Sequence, residues 1–225
     1  MATIVDAEPE PIAINPERTA VIVIDMQRDF LEPGGFGESL GNDVSLLGAA
    51  IEPIKALLAG ARQKKMLVIH TREGHRTDLS DAPKAKVERG DPATRIGAPG
   101  PMGRILIRGE DGHDIIPELY PIAGEPVVDK PGKGAFYATD LYSILMHKNI
   151  ESLIVCGVTT EVCVHTTVRE ANDRGYDSLL LEDCTESYFP EFKTQTIAML
   201  HAQGGIVGWT TPSTKVLAAM AAAGD

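Results

Sequence analysis

Short runs of β-branched and aliphatic residues recur along the chain and end abruptly in charged residues. Unbroken apolar runs of this length are typical of strands that are buried on both faces of a parallel sheet. The pattern predicts strands at 19–26, 66–70, 126–130, 152–156, 178–181 and 205–207.

Apolar residues at helical spacing fill most of the intervals between these strands. The spacing predicts helices over about 45–65, 139–148, 161–174 and 190–203. Strands that alternate with helices form βαβ units, whose strands are parallel and whose crossovers are right-handed. The predicted fold class is therefore α/β, with three αβα layers and a doubly wound parallel sheet of about six strands.

The remaining segments set the predicted domain organisation. Residues 1–18 are acidic and proline-containing and are interpreted as an N-terminal arm, and residues 19–225 as a single domain. Six of the 15 prolines and many glycines lie between about 71 and 125. We expect a long loop excursion there rather than a second domain, and such loops usually shape a binding site.

Charge and composition narrow the choice of partners. The formal net charge of −11 disfavours nucleic acids and anionic membranes as partners. The first residues lack the basic and apolar regions of a signal peptide, and the three cysteines are interpreted as thiols in a reducing compartment. We therefore expect a cytoplasmic protein with a small-molecule substrate. An anionic substrate stays possible, because a local group of Lys or Arg can override the mean charge.

Cys163 is the first candidate for chemistry. It lies where the strand at 152–156 turns through a glycine into the helix at 161–174. The first turn of a helix offers a positive dipole end and unpaired N–H groups, which favour a thiolate and can bind an oxyanion. Cys163 could instead be a small buried hydrophobic residue, and Cys156 and Cys184 are interpreted in that way.

Asp25 and Lys130 each follow an apolar strand, as the turn before Cys163 does. Because ligands of parallel sheets bind beyond the carboxyl ends of the strands, we expect the three side chains on one rim. Asp25 could act as a base with a raised pKa, and Lys130 could neutralise and orient it. Alternatively, Asp25 could cap the loop or pair with Arg28, and Lys130 could be a solvated loop residue.

No motif indicates a cofactor. The glycines at 34–41 do not follow the dinucleotide pattern, and 132–134 lacks the other residues of a phosphate loop. His70 and His75, which lie next to Glu73, could contribute to a metal site, but roles as polar loop residues are the favoured interpretation. We predict no cofactor and no metal.

Three blocks of sequence resemble the isochorismatase-like cysteine hydrolase superfamily. They are AVIVIDMQRDF at 20–30, DKPGKGAFYATDL at 129–141 and CGVTTEVCVHTTVREANDRGY at 156–176. The resemblance extends over roughly 19–211 and implies an isochorismatase-like fold.

The resemblance also implies roles for individual residues. Asp25, Lys130 and Cys163 match the catalytic triad of that superfamily. A cis peptide bond is expected between Val158 and Thr159. The backbone N–H groups of Thr159 and Cys163 are expected to form the oxyanion hole.

Segments at 70–83, 97–110, 112–122 and 199–208 are similar to amidohydrolases that act on ureides, and most of all to biuret hydrolase. This similarity implies the release of ammonia from biuret or triuret through a thioester, a substrate contact by Gln203, and a homotetramer. Nicotinamidases carry a metal cluster that this sequence does not show, and true isochorismatases lack the cysteine.

Two alternatives stay open. The substrate could be ureidoacrylate or an N-carbamoyl amino acid, whose carboxylate Arg72, Arg76 or Arg95 could bind. A non-catalytic member of the fold that uses Cys163 as a redox sensor is the other alternative.

Overall fold

A computed structural model of the chain describes residues 2–222. Its main sheet consists of β1 (Thr19–Ile24), β2 (Leu67–Glu73), β3 (Val127–Lys130), β4 (Ser152–Val158), β5 (Asp177–Glu186) and β6 (Trp209–Thr211). The six strands follow the order β6-β5-β4-β1-β2-β3, and all neighbouring pairs are parallel. The predicted doubly wound parallel sheet is confirmed.

Helices cover both faces of this sheet. They are α1 (Ile51–Gln63), α2 (Leu141–His147), α3 (His165–Asp173), α4 (Pro190–Gly205) and α5 (Ser213–Ala222). Helices α1 and α5 pack on one face, and α2, α3 and α4 pack on the other. Every residue of β1 and β4 is therefore buried, which explains why both strands are unbroken apolar runs.

The chain also contains short elements. The short helices are Arg28–Leu31, Phe36–Ser39 and Lys84–Val87, with 3-10 turns at Pro16–Arg18, Val44–Ala50, Pro92–Thr94, Asp111–His113 and Pro117–Leu119. A π-helix spans Thr160–Val164, and the short strands are Thr3–Val5, Ile12–Ile14, Pro99–Gly100 and Gly103–Arg104.

The stretch Val44–Gln63 is long and apolar enough by composition to cross a membrane. In the fold, Leu47, Ile54 and Leu57 of this stretch are fully buried against the sheet. Its apolar character therefore follows from packing in the core of the domain.

Three local predictions need correction. The arm at 1–18 forms a β-hairpin between its two short strands, and Val5 and Ile12 are buried in the core. The strand predicted at 66–70 continues to Glu73, because β3 pairs with it there. The last strand lies at Trp209–Thr211 and not at 205–207, since its register with β5 begins only at Trp209.

Two further differences concern helices. Helix α5 had no counterpart among the predictions. The helix predicted from about residue 161 begins as a π-helix, and α3 starts only at His165. Cys163 therefore lies in a π-helical segment of five residues and not in the first turn of an α-helix.

The strand order reverses between β1 and β4, because the chain adds β2 and β3 on one side of β1 and then β4, β5 and β6 on the other. In open α/β sheets, ligands bind beyond the carboxyl ends of the strands at such a switch point. Asp25 directly follows β1, and the segment with Cys163 directly follows β4. The loop at 74–126 lies over the same edge, where Ile116 donates a backbone hydrogen bond to Met26.

Candidate active site

Asp25 and Lys130 form a buried ion pair at this edge. The Lys130 Nζ lies 2.7 Å from the Asp25 Oδ2, and both side chains are fully buried. The other carboxylate oxygen of Asp25 accepts a hydrogen bond from the Thr71 hydroxyl, at 2.7 Å. The pair is therefore fixed from two neighbouring strands, which keeps the carboxylate in one orientation.

The Lys130 ammonium is held in its charged form. Its Nζ also donates to the carbonyl oxygens of Gly132 and Lys133, at 3.0 and 2.9 Å. Burial by itself lowers the pKa of Lys130, but the Asp25 carboxylate and the other acidic groups nearby outweigh burial and raise this pKa above its usual value. Lys130 is thus a permanent positive charge in the site.

Glu73 is the site residue that the sequence predictions missed. This fully buried carboxylate lies 2.7 Å from the Lys133 Nζ and 3.2 Å from the Lys86 Nζ. The Lys130 Nζ is 3.9 Å away. Burial by itself raises the pKa of Glu73, but the ammonium groups of Lys130, Lys133 and Lys86 outweigh burial and lower it to about 2.

A sequence signal for Glu73 did exist. Like Asp25 and Lys130, it lies at the carboxyl end of a sheet strand. The predicted strand, however, ended at His70, three residues before the observed end at Glu73. Strand β2 lies between β1 and β3, so Glu73 lies between the other two charged residues on the rim.

Cys163 lies against this cluster. Its thiol donates a hydrogen bond to the Glu73 Oε2 at 3.4 Å. The sulfur and one oxygen each of Asp25 and Glu73 all lie within 4.8 Å of one another. The structure therefore brings Asp25, Lys130 and Cys163 together, with Glu73 as a fourth member.

The expected thiolate needs correction. Burial raises the pKa of Cys163 well above its usual value, and the carboxylates of Asp25 and Glu73 raise it further. The ammonium groups of Lys130 and Lys133 act in the opposite direction but do not overcome burial. Burial thus opposes ionisation of Cys163, so a base that takes its proton during the reaction is required.

The turn before Cys163 is closely packed. Gly157 has a φ of 112°, and a Cβ there would collide with the backbone of Ile24 on β1. The expected cis peptide bond between Val158 and Thr159 is present. Thr159 and Cys163 both line the cavity described below. The oxyanion-hole role of their N–H groups stays a prediction.

A cavity of about 280 Å³ opens in front of the Cys163 sulfur; we call it the reaction cavity. Its apolar wall comprises Phe30, Phe36, Leu40, Val158, Val162, Tyr188 and Phe189. Its polar lining comprises Asn42, Glu73, Lys133, Thr159, Glu161 and Cys163. A mostly apolar wall with a few convergent polar groups is typical of small-molecule sites.

Gln203 does not lie at this cavity within one chain. It is an exposed residue with a φ of 55° at the kinked end of α4. Helix α4 runs back from the carboxyl edge of the sheet to the amino edge, where Gly208 lies so close to Ser178 that an added Cβ would collide with its carbonyl oxygen, and β6 then begins. Its predicted contact with the substrate is therefore unsupported by the single chain and stays a prediction.

The arginines considered for a substrate carboxylate lie in different places. Arg72 pairs with Asp129 and Asp114, at 2.8 and 3.1 Å, and lines a separate cavity of about 200 Å³. Arg76 is exposed and lines neither of these cavities. Arg95 lines a third cavity, which adjoins the reaction cavity.

The donor atoms of Asp25, Glu73 and Cys163 are close enough together to bind one metal ion. However, the Lys130 and Lys133 ammonium groups each lie 2.7 Å from one of the two carboxylates. A divalent cation would be repelled by both, so this cluster fits ammonium counter-charges better than a metal.

His70 and His75 are buried and contact acidic side chains, His70 from within β2 and His75 from just beyond it. The His70 Nε2 lies 3.0 Å from Glu125, and the His75 Nδ1 lies 3.2 Å from Asp81. Cys156 and Cys184 are fully buried free thiols of the core. The loop position favoured for His70 is therefore wrong, because this histidine is buried within β2, whereas both cysteines lie in the core as expected.

Comparison with known proteins places this geometry in a family. The model of the isochorismatase domain matches residues 19–211. The ureidoacrylate amidohydrolase RutB of Azorhizobium caulinodans is 32% identical over 216 residues, which cover 91% of each chain. The RutB protein of Pantoea ananatis is 33% identical over 209 residues, which cover 91% of this chain and 83% of that protein.

Solved structures agree with this assignment. A cysteine hydrolase of Pseudomonas syringae pv. phaseolicola superimposes with a TM-score of 0.80 at 29% identity, covering 93% of this chain and 95% of that one. An N-carbamoylsarcosine amidase of Thermoplasma acidophilum shares the fold, with a TM-score of 0.66 at 20% identity and coverage of 87% and 96%. The two RutB relatives carry the name ureidoacrylate amidohydrolase, whereas the sequence segments had suggested biuret hydrolase. The protein is a member of the isochorismatase family.

Proposed function

We propose that this protein is a cysteine-dependent amidohydrolase that cleaves a C–N bond at the carbamoyl group of a small ureide. The observation that carries the proposal is the Cys163 thiol, which faces the reaction cavity and lies within 4.8 Å of the carboxylate of the buried Asp25–Lys130 pair. A sulfur nucleophile next to a base and a fixed positive charge is the arrangement that acyl transfer requires.

Asp25 is the base in the first step. Glu73 is held as a carboxylate by the ammonium groups of Lys133 and Lys86. In the proposed step the S–H rotates from Glu73 toward Asp25, whose carboxylate lies within 4.8 Å of the sulfur. As Asp25 takes the proton, the sulfur bonds to the carbamoyl carbon, and the C=O electron pair moves onto the oxygen. The N–H groups of Thr159 and Cys163 bind this oxyanion.

The second half of the reaction returns the enzyme to its resting state. The oxyanion collapses, the C–N bond breaks, and the proton from Asp25 leaves with the departing nitrogen, which produces a thioester. Asp25 then takes a proton from water, the hydroxide oxygen bonds to the acyl carbon, and the C–S bond breaks. The sulfur recovers its proton, and Lys130 balances the charge throughout.

The proposed substrate class is that of ureides with a carboxylate, of the ureidoacrylate type. Relatives at 32–33% identity over nine-tenths of the chain carry this activity in their names. Acyl transfer from a ureide leaves a carbamoyl group on the sulfur, and its hydrolysis produces a carbamate, which decomposes to an amine or ammonia and CO₂. Ammonia release therefore measures the reaction whichever of the two C–N bonds breaks first.

An ammonia-release panel tests the proposal. It compares ureidoacrylate, N-carbamoyl amino acids, biuret, triuret and nicotinamide with the wild type, and we expect ureidoacrylate to have the highest kcat/KM. Biuret or triuret as the best substrate would support the ureide activity but overturn the proposed class. Intact mass spectrometry should detect the acyl-enzyme on Cys163.

Substitution of the nucleophile is the second part of the test. Cys163→Ser should lower kcat at least about 1,000-fold without loss of the fold, because a hydroxyl is a far weaker nucleophile in this site. Cys184→Ala, which removes a buried thiol outside the reaction cavity, should keep its activity. A fully active Cys163→Ser variant contradicts the proposal. No turnover on any amide together with reversible oxidation of Cys163 would instead support the redox-sensing alternative.

A further inference from the structure

A second cavity adjoins the reaction cavity. It has a volume of about 480 Å³ and shares Phe36, Leu40 and Lys133 with the reaction cavity as a common wall. The rest of its lining comes from the loop excursion and comprises Ser39, Lys86, Arg89, Gly90, Asp91, Thr94, Arg95 and Ile96. We call this space the arginine vestibule. It is nearly twice as large as the reaction cavity.

The charge of the vestibule is opposite to that of the chain. The protein has a net charge of −11, but the vestibule is lined by four cationic side chains and by one carboxylate, Asp91. Two of the cations, Lys86 and Lys133, are compensated by the buried carboxylate of Glu73, at 3.2 and 2.7 Å. The other two are Arg89 and Arg95.

These two guanidinium groups have no carboxylate partner within residues 2–222. Arg95 donates through Nε and one Nη to the carbonyl oxygen of Gly90, at 3.1 and 3.0 Å, and this neutral acceptor leaves its charge uncompensated. Arg89 is exposed and forms no ion pair in the described part of the chain. The carboxylate of Asp91 accepts from the backbone N–H of Ala93 and so caps a local turn.

From this excess of positive charge we infer that Arg89 and Arg95 form a subsite for the carboxylate of the substrate. The inference rests on the proposed function and deepens it. The carbamoyl group occupies the reaction cavity at Cys163, and the anionic end passes Phe36 and Leu40 into the vestibule. A guanidinium is suited to this task because it binds carboxylates with two parallel hydrogen bonds.

Carboxylate binding by the two arginines has two consequences that would not follow if the arginines only stabilised the loop. A neutral ureide such as biuret reaches Cys163 but gains nothing from the vestibule, so the arginines discriminate between substrates and do not affect the chemical step. A local positive field on an acidic protein also attracts anionic ligands, and this attraction is weakened by salt.

The test compares an anionic ureide with its neutral counterpart. We would measure kcat and KM for ureidoacrylate and for its methyl ester, with the wild type and the variants Arg89→Ala, Arg95→Ala, Arg89→Lys and Arg95→Lys. Arg76→Ala is the matched control, because Arg76 is an exposed arginine of the same loop that does not line either cavity.

The alanine variants should raise KM for the anion about 10- to 100-fold, as expected for the loss of a hydrogen bond to a charged group. Their kcat should stay within about threefold, and the ester should be unaffected. The lysine variants should recover part of the loss. In the wild type, kcat/KM for the anion should fall as the salt concentration increases from about 50 to about 500 mM, because the Debye length becomes roughly threefold shorter. The kcat/KM for the ester should not change.

Three results would overturn the inference. If both alanine variants keep the wild-type kcat/KM for the anion and for the ester, the carboxylate is bound elsewhere. An equal loss for the two substrates would indicate a structural role. In both cases the hydrolysis of ureides by the wild type would leave the proposed function standing, whereas no turnover on any ureide would overturn both.

Discussion

The thiol of Cys163 donates its hydrogen bond to Glu73 and not to Asp25. The acceptor is a carboxylate in the interior, with the ammonium groups of Lys133 and Lys86 at 2.7 and 3.2 Å. Glu73 therefore has two effects on the sulfur. It fixes the position of the thiol, and its negative charge opposes thiolate formation in the resting protein.

Replacement of Glu73 by Gln should separate these two effects. We expect kcat to fall about 10- to 100-fold, because the Gln oxygen is a weaker acceptor for the thiol and the ammonium groups of Lys133 and Lys86 lose their counter-charge. We also expect faster alkylation of Cys163 by iodoacetamide at pH 7, because removal of a nearby anion lowers the pKa of the thiol. Glu52→Gln, on the exposed side of α1, is the control for loss of one negative charge. Slower alkylation of the Glu73→Gln variant would show that Glu73 does not oppose the thiolate.

Glu161 should bind N–H groups of the substrate. Its Oε2 is buried, has no hydrogen-bond partner among residues 2–222, and belongs to a residue that lines the reaction cavity. The nearby hydroxyl of Tyr188 donates its hydrogen bond to the carbonyl oxygen of Phe30 and not to the Glu161 Oε2. A ureide presents N–H donors that such an oxygen accepts from.

Glu161→Ala should therefore raise KM for ureides about 10-fold, and Glu161→Gln, which keeps an acceptor oxygen, should lose less. Steady-state kinetics with a ureide and with a simple primary amide provide the comparison. An equal increase in KM for the ureide and for the amide would show that Glu161 does not bind the distal N–H group of the ureide.

Loss of Lys130 should destabilise the fold. Lys130→Ala leaves the carboxylate of Asp25 buried without its counter-charge, which costs about 3–5 kcal/mol. The double variant Asp25→Asn/Lys130→Met should recover much of this stability but no activity. Urea denaturation measures both effects. Lys55→Ala, which breaks an exposed pair with Glu52, should change stability by less than about 1 kcal/mol.

The stability of the protein should decrease between pH 6.5 and pH 4 in part because of His113. Burial lowers the pKa of His113 to about 4, and the Arg72 guanidinium contributes to the shift. The unfolded chain therefore binds a proton at a higher pH than the folded chain does, so stability falls as the pH falls through this window, by up to about 1.4 kcal/mol per pH unit. His113→Gln should make the pH profile from urea titrations shallower. An unchanged slope would show that this histidine does not contribute.

Gly157 should not tolerate alanine. A Cβ at its φ of 112° collides with the Ile24 backbone, so β1 and β4 would have to separate. We expect the free energy of unfolding to fall by more than about 4 kcal/mol. Gly90 is a matched control with a φ of 78°, and no atom of the described part of the chain lies within 4 Å of the added Cβ. Gly90→Ala should therefore cost only about 1 kcal/mol, the price of the backbone conformation.

The local sequence was sufficient for the architecture. Strands such as β1 are buried on both faces, and this burial requires unbroken apolar runs that are visible without a structure. The positions of Asp25, Lys130 and Cys163 on one rim followed from the rule that parallel strands share their carboxyl edge. Boundaries were less certain where polar residues belong to a strand, as at Glu73.

The sequence by itself determined the parallel sheet and the three residues at its carboxyl edge, because apolar patterning and strand direction are local properties. Only the tertiary structure decided which charges surround the sulfur. Strand order places β2 between β1 and β3 and so inserts Glu73 into the cluster. The folded loop adds Lys86, and burial raises the pKa of Cys163. These effects depend on distances and desolvation between residues far apart in the chain, which the order of amino acids does not display.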